Sequence, residues 1–420
     1  WLESRRGSGT FVVSRLPGIK PQLLPGAREM VSNPLEKAGF SFQAFPHLDR
    51  NTGVSKLKYH LDEGIPDPRL APLEELSRAY RAGMLTGNRY LRLGYGDPKG
   101  SSWLRQELSG YLNETRGMKT GLGNILVTRG VVMGIYLVSA GLLAPGDRVI
   151  AGEPGWEGAN ANFQQAGARL IKIPVDDSGL DTNALEKVCR RQKIRLVYTT
   201  PHHHYPTTVA LRAERRLRLL QLAEKYGFII FEDDYDYDFH YLSRPLLPLA
   251  ASDHAGMVMY CGSFSKTVAP AFRVGYLAGP GNVIHHLSQL RRIIDRQGDN
   301  LLENAVAELL REGVIQRHLR KSLRTYKARR DIFCELLKEK LDGRVEFQVP
   351  DGGMAVWARF NKSIDLIRLS AEAKQRELYI PDPGQRLPPG VIPHAIRLGF
   401  ASSTPEELER CVTILSDLCS

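Results

Sequence analysis

From Lys56 onward, short apolar strands alternate with helical stretches, and this alternation leaves few folds open. Runs rich in β-branched or aromatic residues stand at 57–61, 125–128, 148–151, 170–173, 196–199, 228–232 and 258–261. Helical spacing of apolar residues covers 73–84, 101–114, 182–191 and 213–226. Strand and helix in turn predict an α/β fold, a mainly parallel sheet with helices on its faces. A charged helical region follows over 281–340. The pattern then changes to strands at 345–347, 354–360 and 396–399, a helix near 364–376 and a last helix from Pro405. That is a smaller α+β unit. At 420 residues the chain exceeds one core, so a large domain over 56–310 and a small one over 311–420 are expected.

The first residues read differently. Residues 1–13 predict a strand, a basic Gly turn and a second strand, a hairpin cut off from its domain. Residues 14–55 are rich in Pro and Gly and predict a linker. The five cysteines are odd in number and scattered, which favours reduced thiols and a cytoplasmic location over a disulfide framework or a zinc site. The longest apolar run, 131–144, falls short of the roughly 20 residues that span a bilayer, so no membrane partner is expected. The net charge of +11 suits anionic ligands or nucleic acid and decides neither.

The chemistry centres on Lys266, in the run Tyr260-Cys261-Gly262-Ser263-Phe264-Ser265-Lys266-Thr267, with Arg273 and Gly275 beyond it. An amine can form a Schiff base with an aldehyde, while Ser263, Ser265 and Arg273 hold a phosphate; pyridoxal 5'-phosphate needs that pairing. The same run also fits a surface lysine in a Ser-rich loop. Asp233 and Asp234 follow the apolar strand 228–231, where open parallel sheets bind ligands, and a carboxylate there can pair with a protonated pyridine nitrogen. Glu232, Asp233, Asp234, Asp236 and Asp238 alternate between two faces, so no metal is expected. Gly130 and Val131 open a helix after a strand, where free N–H groups face a phosphate. Trp156 follows another strand and can stack on a flat ring, or fill the core. Arg397, on a late strand, can grip a carboxylate. His202-His203-His204 predicts a loop with one His facing the site.

Taken in order, the motifs Tyr95-Gly96-Asp97-Pro98-Lys99-Gly100, Thr128-Arg129-Gly130, Pro154-Gly155-Trp156, Thr200-Pro201-His202-His203-His204-Tyr205-Pro206-Thr207, Glu232-Asp233-Asp234-Tyr235, Ser263-Phe264-Ser265-Lys266 with Arg273, and Ile396-Arg397-Leu398 form one pattern. From about Tyr59 to its end the chain resembles the fold-type-I pyridoxal-phosphate enzymes, the aspartate aminotransferase superfamily. It resembles most the MocR-type regulators of the GntR superfamily, in which a winged-helix DNA-binding domain precedes an aminotransferase-like domain. The resemblance implies a wing remnant in the opening hairpin and a cofactor aldimine on Lys266. It puts Asp233 on the pyridine nitrogen, Tyr235 near the ring hydroxyl and Trp156 on the ring face. Gly130, Val131, Ser263, Ser265 and Arg273 would hold the phosphate. Tyr95 would reach a neighbour's site in a homodimer, His203 or His204 would contact the ring, and Arg397 would bind the effector's α-carboxylate.

Departures from that pattern are Val131-Val132, where the family usually has Ser-Gln, Thr208 in place of a Gly, and Trp156 in place of the regulators' Tyr. Gly158 stands where a basic residue would suit a longer acid, and favours a small α-amino acid. The implied function is an effector-sensing domain in which an amino acid or amine forms an external aldimine and alters DNA binding by the winged helix. A true aminotransferase is the alternative. A nucleotide-binding α/β protein is disfavoured, because neither GxGxxG nor GxxxxGK[ST] occurs.

Overall fold

The computed structural model describes residues 2–12, 36–42, 45, 55–88, 90, 93–241, 246–386 and 394–419. Residues 2–12 lie in one compact unit, and residues 50–420 form another. In the first, β1 (Leu2–Arg5) pairs antiparallel with β2 (Gly9–Val12), with Leu2 opposite Val12. Gly7 and Gly9 take the positive φ that the connecting turn requires. The expected hairpin is thus present; most of the expected linker lies outside the described residues.

In the second unit the strands are β3 (Tyr59–His60), β4 (Ile125–Thr128), β5 (Arg148–Glu153), β6 (Arg169–Asp176), β7 (Gly179–Leu180), β8 (Leu196–Thr199), β9 (Ile229–Asp234), β10 (Val258–Ser263), β11 (Gly275–Ala278), β12 (Val345–Glu346), β13 (Ala355–Phe360), β14 (Leu378–Tyr379) and β15 (Ala395–Gly399). The helices are α1 (Leu73–Leu85), α2 (Ser102–Arg116), α3 (Val131–Leu142), α4 (Glu157–Gln165), α5 (Thr182–Cys189), α6 (Ala213–Tyr226), α7 (Gly281–Ile294), α8 (Asn300–Arg311), α9 (Val314–Lys340), α10 (Leu366–Gln375) and α11 (Pro405–Leu418). Eight strands form one sheet in the order β4-β11-β10-β9-β8-β5-β6-β7, parallel except for β11 and β7. A three-stranded antiparallel sheet, β12-β13-β15, accompanies the late helices.

Helices on both faces explain the continuous apolar strands. Along β9, Ile230 packs with Val197, Leu219 and Phe228 on one face, while Phe231 packs with Leu126, Val138 and Phe163 on the other. Local signals set the helix ends. Ser101 caps α2, its hydroxyl accepting from Leu104 N–H at 3.3 Å, and Gly117 ends it at φ 62°. Thr404 and Glu407 form a capping box at α11. β11 escapes sequence reading: it is four residues long, starts on a Gly and runs antiparallel between β4 and β10.

One buried polar relay ties the sheet to α2. Arg116 Nη2 donates to both Asp238 carboxylate oxygens at 3.0 Å, and its Nε donates to Tyr260 Oη at 2.9 Å. The Tyr260 hydroxyl in turn donates to Asp234 at the end of β9. Its guanidinium also lies 4.5 Å over the ring of Tyr237. Arg116→Ala removes the charge partner of the largely buried Asp238, which keeps only the Tyr111 hydroxyl at 2.9 Å, and should cost about 3 kcal/mol of stability, read from the urea midpoint at unchanged slope.

Candidate functional site

The carboxyl ends of β4, β8, β9 and β10 open on one edge of the large sheet, the place where such sheets bind ligands. A cavity of about 350 Å³ lies there. Lys266, Asp233, Tyr235, Trp156, Val131, Ser263, Ser265 and Arg273 all line it, so eight of the sequence-derived residues meet in one place. Each arrives by local logic. Asp233 closes β9, Ser263 closes β10, and Val131 begins α3 after the turn at Gly130.

Lys266 is half-buried, and its Nζ donates to the Gly64 carbonyl at 2.6 Å. Burial holds its ammonium pKa below the ordinary lysine value. Asp233 is 2% exposed. Its Oδ2 accepts from the Tyr198 hydroxyl at 2.6 Å, while Oδ1 is buried with no partner among the described residues. Burial pushes this carboxyl up to about 7, and Asp234 and Asp236 add to the rise. The same burial pushes Glu232 up to about 8.

The far end of the cavity is cationic. Gly130 takes φ 79°, and a Cβ there would come within 2.8 Å of the Arg273 guanidinium. Only glycine lets Arg273 approach the start of α3, where the first amides have no helical partner. Arg273 Nη2 donates to the Arg129 carbonyl at 2.9 Å, and Ser265 Oγ is buried without a partner among the described residues. Trp156 meets the edge of Tyr205, with ring centroids 6.4 Å apart. A Cβ on Gly158 would lie 2.7 Å from the indole, so glycine there lets the ring settle against α4.

Three expectations land elsewhere, and Tyr95, expected at a neighbour's site, lies outside this cavity too. None of the three consecutive histidines lines the cavity; all are buried around it. His203 Nδ1 lies 2.8 Å from Asp236 Oδ1 and its ring stacks beside His240, while His204 Nδ1 lies 2.8 Å from Thr207 Oγ1. Ring contact by His203 therefore does not fit this geometry, because the Asp236 pairing directs it to the wall against Gly352. Arg397 is 3% exposed and sits behind the cavity wall. It donates from Nε to the Glu63 carbonyl at 3.0 Å, from Nη1 to the Pro206 carbonyl at 3.1 Å and from Nη2 to Tyr235 Oη at 3.3 Å. Tyr235 Oη donates to the His203 carbonyl at 2.8 Å. Tyr95 is 79% exposed, with the Arg296 guanidinium 3.9 Å over its ring.

Sequence reasoning missed Tyr198, Thr200, Tyr205, Glu63, Ile65, Val132 and Pro270, which complete the lining. For Tyr198 a signal existed. β8 and β9 are parallel neighbours, so a phenol near the end of one strand reaches a carboxylate near the end of the other.

The chain matches the aminotransferase class I and II family over residues 64–415. It belongs to that family. The likeness to the MocR-type regulators also holds. An uncharacterized HTH-type transcriptional regulator of Bacillus subtilis, YisV, is 30% identical over 410 residues, 97% of this chain and 83% of the relative. The probable rhizopine catabolism regulatory protein MocR of Rhizobium meliloti is 30% identical over 374 residues, 87% of this chain and 72% of the relative. Among solved structures, Pyrococcus horikoshii kynurenine aminotransferase in complex with PMP superposes with a TM-score of 0.80 at 26% identity, over 90% of this chain and 96% of that one.

Pyridoxal 5'-phosphate is the cofactor of this family, and the cavity fits it. The partnerless Asp233 oxygen asks for an N–H donor, which a pyridinium nitrogen supplies. The Gly130 and Arg273 end asks for an anion. Without the cofactor, Asp233 takes up its proton in the folded state well above the ordinary carboxylate range. Folded protein then binds more protons than unfolded protein between about pH 4 and the native pKa, so this group makes stability fall as pH rises towards about 7. In cofactor-free protein, Asp233→Asn should flatten the stability profile over that window; parallel profiles for the two proteins would contradict the assignment.

Proposed function

We propose that this chain is the ligand-sensing, dimer-forming part of a transcription regulator that works through pyridoxal 5'-phosphate. The observation that carries this reading is a cavity built around the half-buried Lys266, in a chain whose likeness to an HTH-type regulator covers 97% of its length. When bound, the cofactor supplies a carbon open to attack by amines and a ring that withdraws electrons. Lys266 would be the amine that holds that carbon, and an incoming amino acid or amine would free it. Asp233 accepts a hydrogen bond from the ring nitrogen, and Tyr235 faces the ring hydroxyl. Gly130, Val131, Ser263, Ser265 and Arg273 hold the phosphate, and Trp156 covers the ring and excludes water.

Arg397 receives the ligand carboxylate once the wall before it yields. It lies on β15 of the small sheet and bonds to the carbonyls of Glu63 and Pro206, so the exchange of one partner for another shifts the small domain, 311–420, against the large one, 56–310. Tyr95 completes the site of a second copy. The hairpin at 2–12 is the wing of a winged helix, and the linker over 14–55 passes the shift to the DNA reader in the cytoplasm.

A second reading is favoured by the likeness to kynurenine aminotransferase. Once released, Lys266 can move the α-proton of a bound amino acid, and the chain then turns over as an aminotransferase. Absorbance of the cofactor-loaded protein separates the two. Under the sensing reading, an amino acid shifts the visible band and the spectrum then holds, with no product after an oxo acid is added. Loss and recovery of the band with sustained product formation would replace sensing by catalysis.

A further inference from the structure

We propose that the outward face of α9 binds the phosphate backbone of duplex DNA, so that this domain adds sequence-independent contacts of its own to those of a DNA reader. The proposal rests on the reading of the chain as part of a transcription regulator and names a second surface that touches the same DNA.

α9 runs from Val314 to Lys340, and its side chains sort into two faces. Ile315, Leu319, Tyr326 and Phe333 are buried in the core. Arg317, Arg320, Lys321, Arg324 and Lys327 are all exposed. At about 3.6 residues per turn these positions fall on one stripe, opposite the buried face. No acidic residue occurs between Gly313 and Arg330. None of the five is in an ion pair among the described residues. Two of them bond to backbone instead: Arg317 Nη1 donates to the Glu312 carbonyl at 2.9 Å, and Arg324 Nε donates to the Arg320 carbonyl at 3.3 Å. Asp331, next on that face, is already taken by Arg330 Nη2 at 2.6 Å. Exposed arginines elsewhere are neutralised where they stand, as Arg368 is by Glu372 at 2.7 Å and Arg376 by Asp417 at 3.3 Å.

Like charges three and four residues apart weaken a helix, so folding gains nothing from this stripe. It is about 15 Å long, at about 1.5 Å of rise per residue. One DNA strand presents a phosphate about every 3.4 Å of axis, so about four or five phosphates lie along that length. Arginine and lysine meet phosphate oxygens through charge-assisted hydrogen bonds, and each contact releases a condensed counterion. A helix that lies on a membrane sinks its apolar side into the bilayer. The apolar side of α9 is committed to the core, so its free face suits a charged rod better than a lipid surface. The net charge of +11 favours the same encounter.

Titration of a labelled, mixed-sequence duplex with the cofactor-loaded chain at several salt concentrations, read by fluorescence anisotropy, tests this. The expected Kd is on the order of 1–100 µM near physiological salt, and the logarithm of affinity should fall against the logarithm of salt with a slope of about 4 to 5. The variant R320Q/K321Q/R324Q removes charge from the stripe and keeps good helix formers. It should lose about tenfold or more in affinity and bring the slope to about 2. The control K187Q/R191Q/K193Q removes the same charge from other exposed positions and should keep the slope. Melting curves and the visible band check that both variants fold and hold the cofactor. Absence of duplex binding at low salt overturns the proposal, and so does a slope in the stripe variant no lower than in the control. Vesicles of phosphatidylserine and phosphatidylcholine replace the duplex in a parallel titration; stripe-dependent capture by vesicles without duplex binding also overturns it. Protein whose band answers to an amine but which binds no duplex removes this proposal and leaves the sensing reading in place. Stripe-dependent duplex binding in protein whose band answers to no amine upholds this proposal and counts against sensing.

Discussion

Lys266→Ala should abolish the visible band of the cofactor-loaded protein, leaving only the spectrum of free pyridoxal 5'-phosphate. No other lysine lines the cavity among the described residues, and burial lowers the Lys266 pKa, which favours its free amine. The variant keeps Asp233, the Gly130 turn and Arg273, so it should still hold the cofactor noncovalently and still fold. Half-buried Lys266 carries no packing role comparable to Phe231 or Ile230, which are fully buried. The loss should thus be complete in the spectrum and small in the melting curve. A retained band would place the covalent link on another amine.

Arg273→Ala should weaken cofactor binding by about 10- to 100-fold, the worth of one or two hydrogen bonds to a charged group. Arg273 has φ 49°, the left-handed region, and alanine there carries the same backbone strain. The difference therefore reports the guanidinium. Arg273→Lys keeps the charge and loses the fork, so its affinity should fall between the two. Equilibrium dialysis with pyridoxal 5'-phosphate measures all three. Equal affinities would move the phosphate away from the start of α3.

Where one physical signal dominated, the fold could be read from the sequence. β4 and β8 have the bounds that their apolar runs predict, and α6 spans 213–226 as its spacing predicts, because both faces of the sheet and one face of the helix are buried. The helical region read as continuous over 281–340 is three helices, broken at 295–299 and again by Gly313 at φ 68°. The periodicity survives those breaks, so it conceals them. In the site, residues beside a strand end or a helix start were legible, as with Asp233, Ser263 and Val131. Residues brought in by tertiary packing were not. Glu63 lies in a loop after β3 and meets the site only because the loop crosses to Lys266 and Arg397. The histidine run misled for the opposite reason. One ring of the three was expected to face the site, yet each has its own partner outside the cavity: the Leu246 carbonyl for His202, Asp236 for His203 and Thr207 for His204.

The account stands on Lys266 carrying the cofactor in this cavity. Borohydride reduction of the loaded protein, followed by peptide mass mapping, tests that directly. A single phosphopyridoxyl group on the peptide containing Lys266 is the predicted result. Label on another lysine, or no label in protein that has taken up the cofactor, would contradict it.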